Sequence, residues 1–203
     1  MKFFRLALFS LPCIAAVSAL AQRTPSASLR ATIESVSADG ATLETHARSG
    51  EERAVHLDEK TRLILVVPDS LADVKQGAFI GVAAVPGDGD TLKALEVHIF
   101  PEAMRGTGEG FRPFDLKPDS TMTNGAVDAR VDGVNGETLT VSYKGGQKKI
   151  VIPPGIPVVG FAPGARADLK AGAAIIARGT KRADGSIDAV AVLVGKDGLV
   201  PPM

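Results

Sequence analysis

The chain repeats itself, and the repeated unit is short, turn-rich and without helical periodicity. Ala129-Arg-Val131-Asp-Gly-Val134 resembles Ala31-Thr-Ile33-Glu-Ser-Val36, and Gly136-Glu-Thr138-Leu139 resembles Gly40-Ala-Thr42-Leu43. Farther on, Ala167-Asp168-Leu169-Lys170-Ala-Gly172 parallels Ala72-Asp73-Val74-Lys75-Gln-Gly77. The Asp-Gly turn before Ala189 parallels the one before Ala94, with a one-residue slip. The offset between copies falls from 98 residues (Ala31 to Ala129) to 95 (Asp73 to Asp168), as small deletions confined to turns would produce. Self-similarity of this kind marks one supersecondary unit used twice.

Within a copy the period is two. Leu29, Ala31, Ile33 and Ser35 face one way and Arg30, Thr32 and Glu34 the other, which is the signature of a half-buried strand. Asp39-Gly40 supplies a hairpin turn, because both positions tolerate positive φ. Thr42 to Ala47, Arg53 to Leu57, Arg62 to Val67, Phe79 to Val85 and Leu92 to Phe100 read as further strands. Leu71 to Lys75 allows one helical turn and no more. A copy of about 70 residues has no helices to cover a sheet, so closing the sheet on itself is the economical way to remove its edges. The expectation is a mostly β chain of two tandem small OB-like β-barrels, residues 29–100 and 125–203, joined by an ordered connector over 101–124. An open sandwich shared by the two copies is the rival. At offset 95, Val97 and Val192 should be equivalent core positions.

Met1-Lys2-Phe3-Phe4-Arg5, an apolar run to about Val17 and Ala19-Leu20-Ala21 together read as a secretory signal, residues 1–21, followed by a flexible leader over 22–28. The expected location is therefore periplasmic or secreted. The single Cys, Cys13, follows Pro12, where a lipoprotein signal wants a small residue, which argues against lipidation. The full chain has 23 basic and 23 acidic residues, and removing Lys2 and Arg5 leaves no basic excess for a nucleic-acid backbone. No later run approaches the length of a bilayer-crossing helix, so no membrane span is expected in the mature chain.

Chemistry-bearing residues crowd into His98-Ile-Phe-Pro-Glu102-Ala-Met-Arg105-Gly-Thr-Gly108-Glu109-Gly-Phe111-Arg112-Pro-Phe114-Asp115. The glycines lack both the Gly-Lys-Ser/Thr ending of a P-loop and the spacing of a dinucleotide fingerprint. In a strand, Glu96 and His98 share a face, and Glu102 follows just beyond, so these three are the candidate ligands for a divalent metal. His98, Glu102, Arg105, Glu109, Arg112 and Asp115 are the candidate ligand-binding set. An ordered clasp requires Phe111 and Phe114 to be buried and Arg105 or Arg112 to pair with Glu102, Glu109 or Asp115. Ser120, Thr121 and Thr123 have no His nearby in sequence, so no activated nucleophile is visible. The preferred function is a non-catalytic binding or interaction module whose partner is an envelope protein or a small anionic ligand. No cofactor is predicted; divalent-metal handling or metal-assisted hydrolysis at Glu96, His98 and Glu102, and a purely structural envelope role, are the alternatives.

The A-D-[VL]-K-x-G turn, the D-G hairpin before the last strand and the central E-V-H-I-F-P-E-A-M-R-G-T-G-E-G run resemble a family of secreted bacterial proteins of unknown function. The resemblance covers nearly all of the chain after its first 21 residues and implies repeated OB-like β-barrel units. Some relatives carry the automatic label "metal ABC transporter permease". That label does not fit a chain with a single, cleavable apolar segment.

Overall fold

A computed structural model describes residues 26–133 and 136–203; the expected signal peptide and residues 22–25 of the leader lie outside the described residues. The chain is mostly β. The first copy supplies β1 (Ser26–Val36), β2 (Thr42–Ala47), β3 (Glu52–His56), β4 (Arg62–Pro68), β5 (Phe79–Pro86) and β6 (Thr91–Ile99). The connector holds β7 (Gly110–Pro113), and the second copy supplies β8 (Thr121–Gly133), β9 (Gly136–Tyr143), β10 (Gly146–Ile152), β11 (Val158–Pro163), β12 (Ala174–Lys181) and β13 (Ile187–Gly195). The expected helical turns are single 3-10 turns, Leu71–Asp73 and Arg166–Asp168. Asp39-Gly40 turns as its chemistry requires: Gly40 has φ +68°, and the Ala41 N–H donates to Asp39 Oδ1 at 3.0 Å. The matching Gly136 is needed for space as well as for its positive φ, since a Cβ there would collide with the Ile152 carbonyl.

The copies do not each close a ring of their own. All strands join one sheet in the order β10-β9-β8-β5-β6-β11-β4-β13-β12-β1-β2-β3, with β7 on β8. Two extra pairings, β10 with β6 and β13 with β3, turn each end of the sheet back on itself. One partial ring is β8, β9 and β10 from the second copy with β5 and β6 from the first. The other is β1, β2 and β3 from the first with β12 and β13 from the second. Closure spans three residue pairs in one ring and two in the other, both parallel, so neither ring is closed over its full height. The expectation of one barrel per copy is corrected in this respect. Alternation decides which face a strand buries, but either copy of an equivalent strand satisfies it.

The exchange is two-fold symmetric in its pairings. β5 on β8 is matched by β12 on β1, and β6 on β11 by β13 on β4. β4 and β11 pair with one another, and in their register Val66 faces Phe161, two positions that are themselves equivalent at offset 95. Val97 and Val192 do occupy equivalent sites, opposite Val158 and Leu63, and both are fully buried. The first strand needs a correction. Ala31 sits opposite Ile175 as Gly125 sits opposite Ile80, so the true offset there is 94 and Ile33 corresponds to Val127. Val131, matched to Ile33 by sequence, is 62% exposed on a β8–β9 hairpin that runs on for further pairs. The leader is also shorter than expected: Ser26 to Ser28 already pair with Thr180 to Arg178, because β12 extends far enough to offer its edge.

Each ring encloses an apolar cluster drawn from both copies. Ile33, Leu43 and Val55 meet Ile175, Val192 and Val194 in one, and Ile80, Val82 and Val97 meet Val127, Leu139 and Ile150 in the other. Full burial of such a side chain stabilises by about 1.5–3 kcal/mol relative to exposure. Half of each cluster is missing from either copy alone. Chains cut between Lys117 and Pro118 should therefore show no cooperative melt separately, and an equimolar mixture should recover a strand-type circular dichroism spectrum and a single melt. A cooperative melt by either piece alone would contradict the exchange.

Candidate functional site

A third apolar cluster lies outside both rings, around the Val66–Phe161 pair. It contains Val159, Ile176, Leu193 and Met203, with Phe100, just past β6, and Met104 and Phe114 of the connector packed on it. Above it opens a cleft of about 900 Å³, walled on one side by connector residues from Met104 to Asp115. The connector is ordered around its own bonds: Glu102 to Met104 form a 3-10 turn, and Phe114 N–H donates to Ser120 O at 2.8 Å. Thr121 to Asn124, assigned to the connector by sequence, are the first residues of β8.

The structure divides the candidate residues. His98, Arg112 and Asp115 line the cleft; Glu102, Arg105 and Glu109 do not. Arg105 Nε donates to Glu102 Oε1 at 2.6 Å on the outer surface, which holds the Glu102 carboxyl below its usual range. This is the ion pair expected of a clasp. Glu109 accepts from the Lys144 N–H at 2.9 Å. Phe114 is half-buried under the cluster, but Phe111 is 40% exposed, stacked on Tyr143 with Lys148 Nζ 4.3 Å from its ring. The expectation that both would be buried holds for neither in full. β7 is a short outer strand, and alternation turns Phe111 away from the cleft.

The metal trio is not assembled. Glu96 and His98 are buried side by side, with His98 Nε2–H donating to Glu96 Oε1 at 2.9 Å, while Glu102 is engaged by Arg105 elsewhere. Among the described residues no group of three or more His, Cys, Asp or Glu gathers around a common point. His98 also meets the Phe161 ring edge-on at 5.9 Å.

Sequence reasoning missed most of the cations. Arg62 and Arg178 line the cleft with Arg112, whereas Asp115, the one acidic side chain in the lining, is taken by Arg30 in two hydrogen bonds of 2.7 and 2.9 Å. That pairing lowers the Asp115 carboxyl below its ordinary value and raises Arg30. Arg112 donates to the Gly108 carbonyl at 2.7 Å, and Arg178 reaches only Met203 Sδ, at 3.9 Å. Both line the cleft and keep part of their surface exposed to solvent. Burial lowers both guanidinium pKa values, and at Arg178 repulsion from Arg112 and Arg30 adds to it. Three guanidinium groups without an acidic side-chain partner among the described residues therefore face one space.

A row across the sheet adds a polar end. Gly81 pairs with Asn124 on one side and His98 on the other. The missing side chain at Gly81 leaves room for Asn124 Oδ1, since a Cβ would lie 2.8 Å from it and 3.1 Å from the Phe100 ring. Asn124 is 4% exposed; its Nδ2–H donates to Thr107 O at 2.9 Å, while Oδ1 has no partner. Comparison with protein-family models, curated proteins and solved structures returned no significant match.

Two predictions follow from these contacts. In the second copy Ala191 and Leu193 stand where Glu96 and His98 stand in the first. His98→Leu alone leaves a buried carboxyl unpaired and should cost about 3–5 kcal/mol, whereas Glu96→Ala with His98→Leu should fall within about 1 kcal/mol of the parent. Denaturant melts separate these outcomes, and equal losses in both variants would refute the coupling. The second concerns acid. Asp115 is lowered in the folded state, so its pairing is fully stabilising above its unfolded pKa of about 3.9 and is lost as pH falls through the folded value. Asp115→Asn should lower the melting temperature by a constant amount from about pH 7 to about pH 5, and the gap should close at lower pH. A gap that persists at about pH 2 would refute this.

Proposed function

We propose that this chain is a non-catalytic binding module that takes an anionic ligand in the cleft between two OB-like barrels. The observation that carries the reading is the set of Arg62, Arg112 and Arg178 around one cavity, in a chain whose total charge is balanced. Guanidinium groups suit carboxylate and phosphate because their donors form a planar fork and they are weakly hydrated. A cleft of about 900 Å³ is of the size that holds small molecules. The OB-like reading is supported by five-strand circuits that are partly open, each beginning with a three-strand meander. The apolar start of the chain and its Ala19-Leu20-Ala21 end support a protein that acts outside the cytoplasm, and no helix among the described residues is long and apolar enough to cross a membrane.

Thermal melts with citrate, phosphate and organic carboxylates, set against ammonium and divalent cations, test the reading. A ligand at a hundred times its dissociation constant stabilises by about 2.7 kcal/mol, roughly 5–10 °C for a chain of this size. At least one anion should raise the melting temperature. Arg112→Gln with Arg178→Gln should abolish that shift, and Arg105→Gln, on the outer surface, should keep it. Stabilisation by divalent cations alone, or an anion shift that survives the double variant, would overturn the assignment.

A further inference from the structure

Resting on the anionic reading of the cleft, we infer that its occupant is an amphiphile: an oxyanion head, a hydrogen-bond donor one or two atoms from it, and an apolar chain. Each part answers a different feature of the wall. Arg112 and Arg178 line the same cleft, and their donors are otherwise held only by the Gly108 carbonyl and a distant thioether. An oxyanion in the cleft is a charge partner for these cations and fills their vacant donors.

The donor is asked for by Asn124. Its Oδ1 is an acceptor without a partner in a side chain that is 4% exposed, and leaving such a group unpaired is unfavourable. The head lies against the Nδ2 end of the same amide, whose Oδ1 turns toward Gly81 and Phe100. A Cβ on Gly108 would lie 3.2 Å from Asn124 Nδ2 and 3.3 Å from Arg112 Nη2, so the amide and the guanidinium flank one bare backbone position. A ligand bound by Arg112 therefore has its next atoms beside Asn124. A hydroxyl or amide N–H there would donate to Oδ1; a plain methylene would leave it unpaired.

The chain is asked for by the floor. Phe100, Phe161, Met122, Leu193 and Met203 line the same cavity, and Val190, 59% exposed, continues the apolar surface. A small hydrophilic anion would wet this floor without using it, whereas an alkyl or aryl chain covers it and removes apolar area from water. The pseudo-two-fold relation explains why the site has a direction. Asn124, Gly81 and His98 in one half correspond to Arg30, Ile176 and Leu193 in the other, so one end of the axis is polar and hydrogen-bonding and the other apolar with a cation.

Isothermal titration calorimetry with β-hydroxydecanoate, decanoate, acetate, inorganic phosphate and decylammonium tests this on the intact protein. The expected order is β-hydroxydecanoate tighter than decanoate by about tenfold, consistent with one hydrogen bond to a buried acceptor, with acetate and phosphate at least a hundredfold weaker and decylammonium not bound. Arg178→Gln should weaken both decanoates at least tenfold. Asn124→Ala should erase the preference for the hydroxylated chain, and its melting temperature reports whether the variant is folded. Acetate or phosphate binding as well as decanoate would overturn the amphiphile and leave the anion site standing. Decylammonium binding as well as decanoate would overturn both. Equal affinity for the two decanoates would overturn the donor, and for a misfolded Asn124→Ala that comparison on the parent protein still decides it.

Discussion

The antiparallel pairing of β4 with β11 is the contact on which the rest of the molecule depends. Every strand must find partners for its backbone N–H and C=O groups, and these two find theirs in each other across the symmetry point at Val66 and Phe161. Their outer edges then carry β13 and β6 in parallel, which commits the last two strands of each copy to the opposite half. Ring interiors, central cluster and cleft all follow from that commitment. Without it there would be two separate small sheets and no shared face between them.

A scaffold with matched halves need not keep matched surfaces. Packing holds the interior positions alike, since a change of one methylene in a filled core is felt. Val97 and Val192 show this, as do Ile33 and Val127. The outward face is free of that constraint and has diverged: Glu96 and His98 against Ala191 and Leu193, Asn124 against Arg30. Of these diverged positions, His98, Asn124, Ala191 and Leu193 line the cleft.

Strand positions were legible because each is bounded by Gly-containing turns whose chemistry is local. Thr42 to Ala47 is recovered to the residue. Strand partners were not legible, since alternation specifies a face and says nothing about which of two equivalent strands will occupy the neighbouring place. The misaligned first strand has a similar cause: Val131 and Ile33 lie in like sequence contexts, but the hairpin around Val131 is extended past the ring. Of the site, His98, Arg112 and Asp115 were visible as a local cluster. Arg30 and Arg178 were not, because an arginine on the polar face of a strand reads as solvated until the register sets Arg178 opposite Ser28, two residues from Arg30. Asn124 carried no signal at all; only its unpaired oxygen marks it.

The exchange of strands also sets a timetable. β1 emerges first from the ribosome, yet its outer neighbour, β12, is made last but one, and Ser26 pairs with Thr180. Until then the first meander has an unpaired edge and an open apolar face. Contacts at such long range are slow to form and leave intermediates exposed to aggregation. A nascent chain of this design keeps its first ring incomplete until its last two strands have been made.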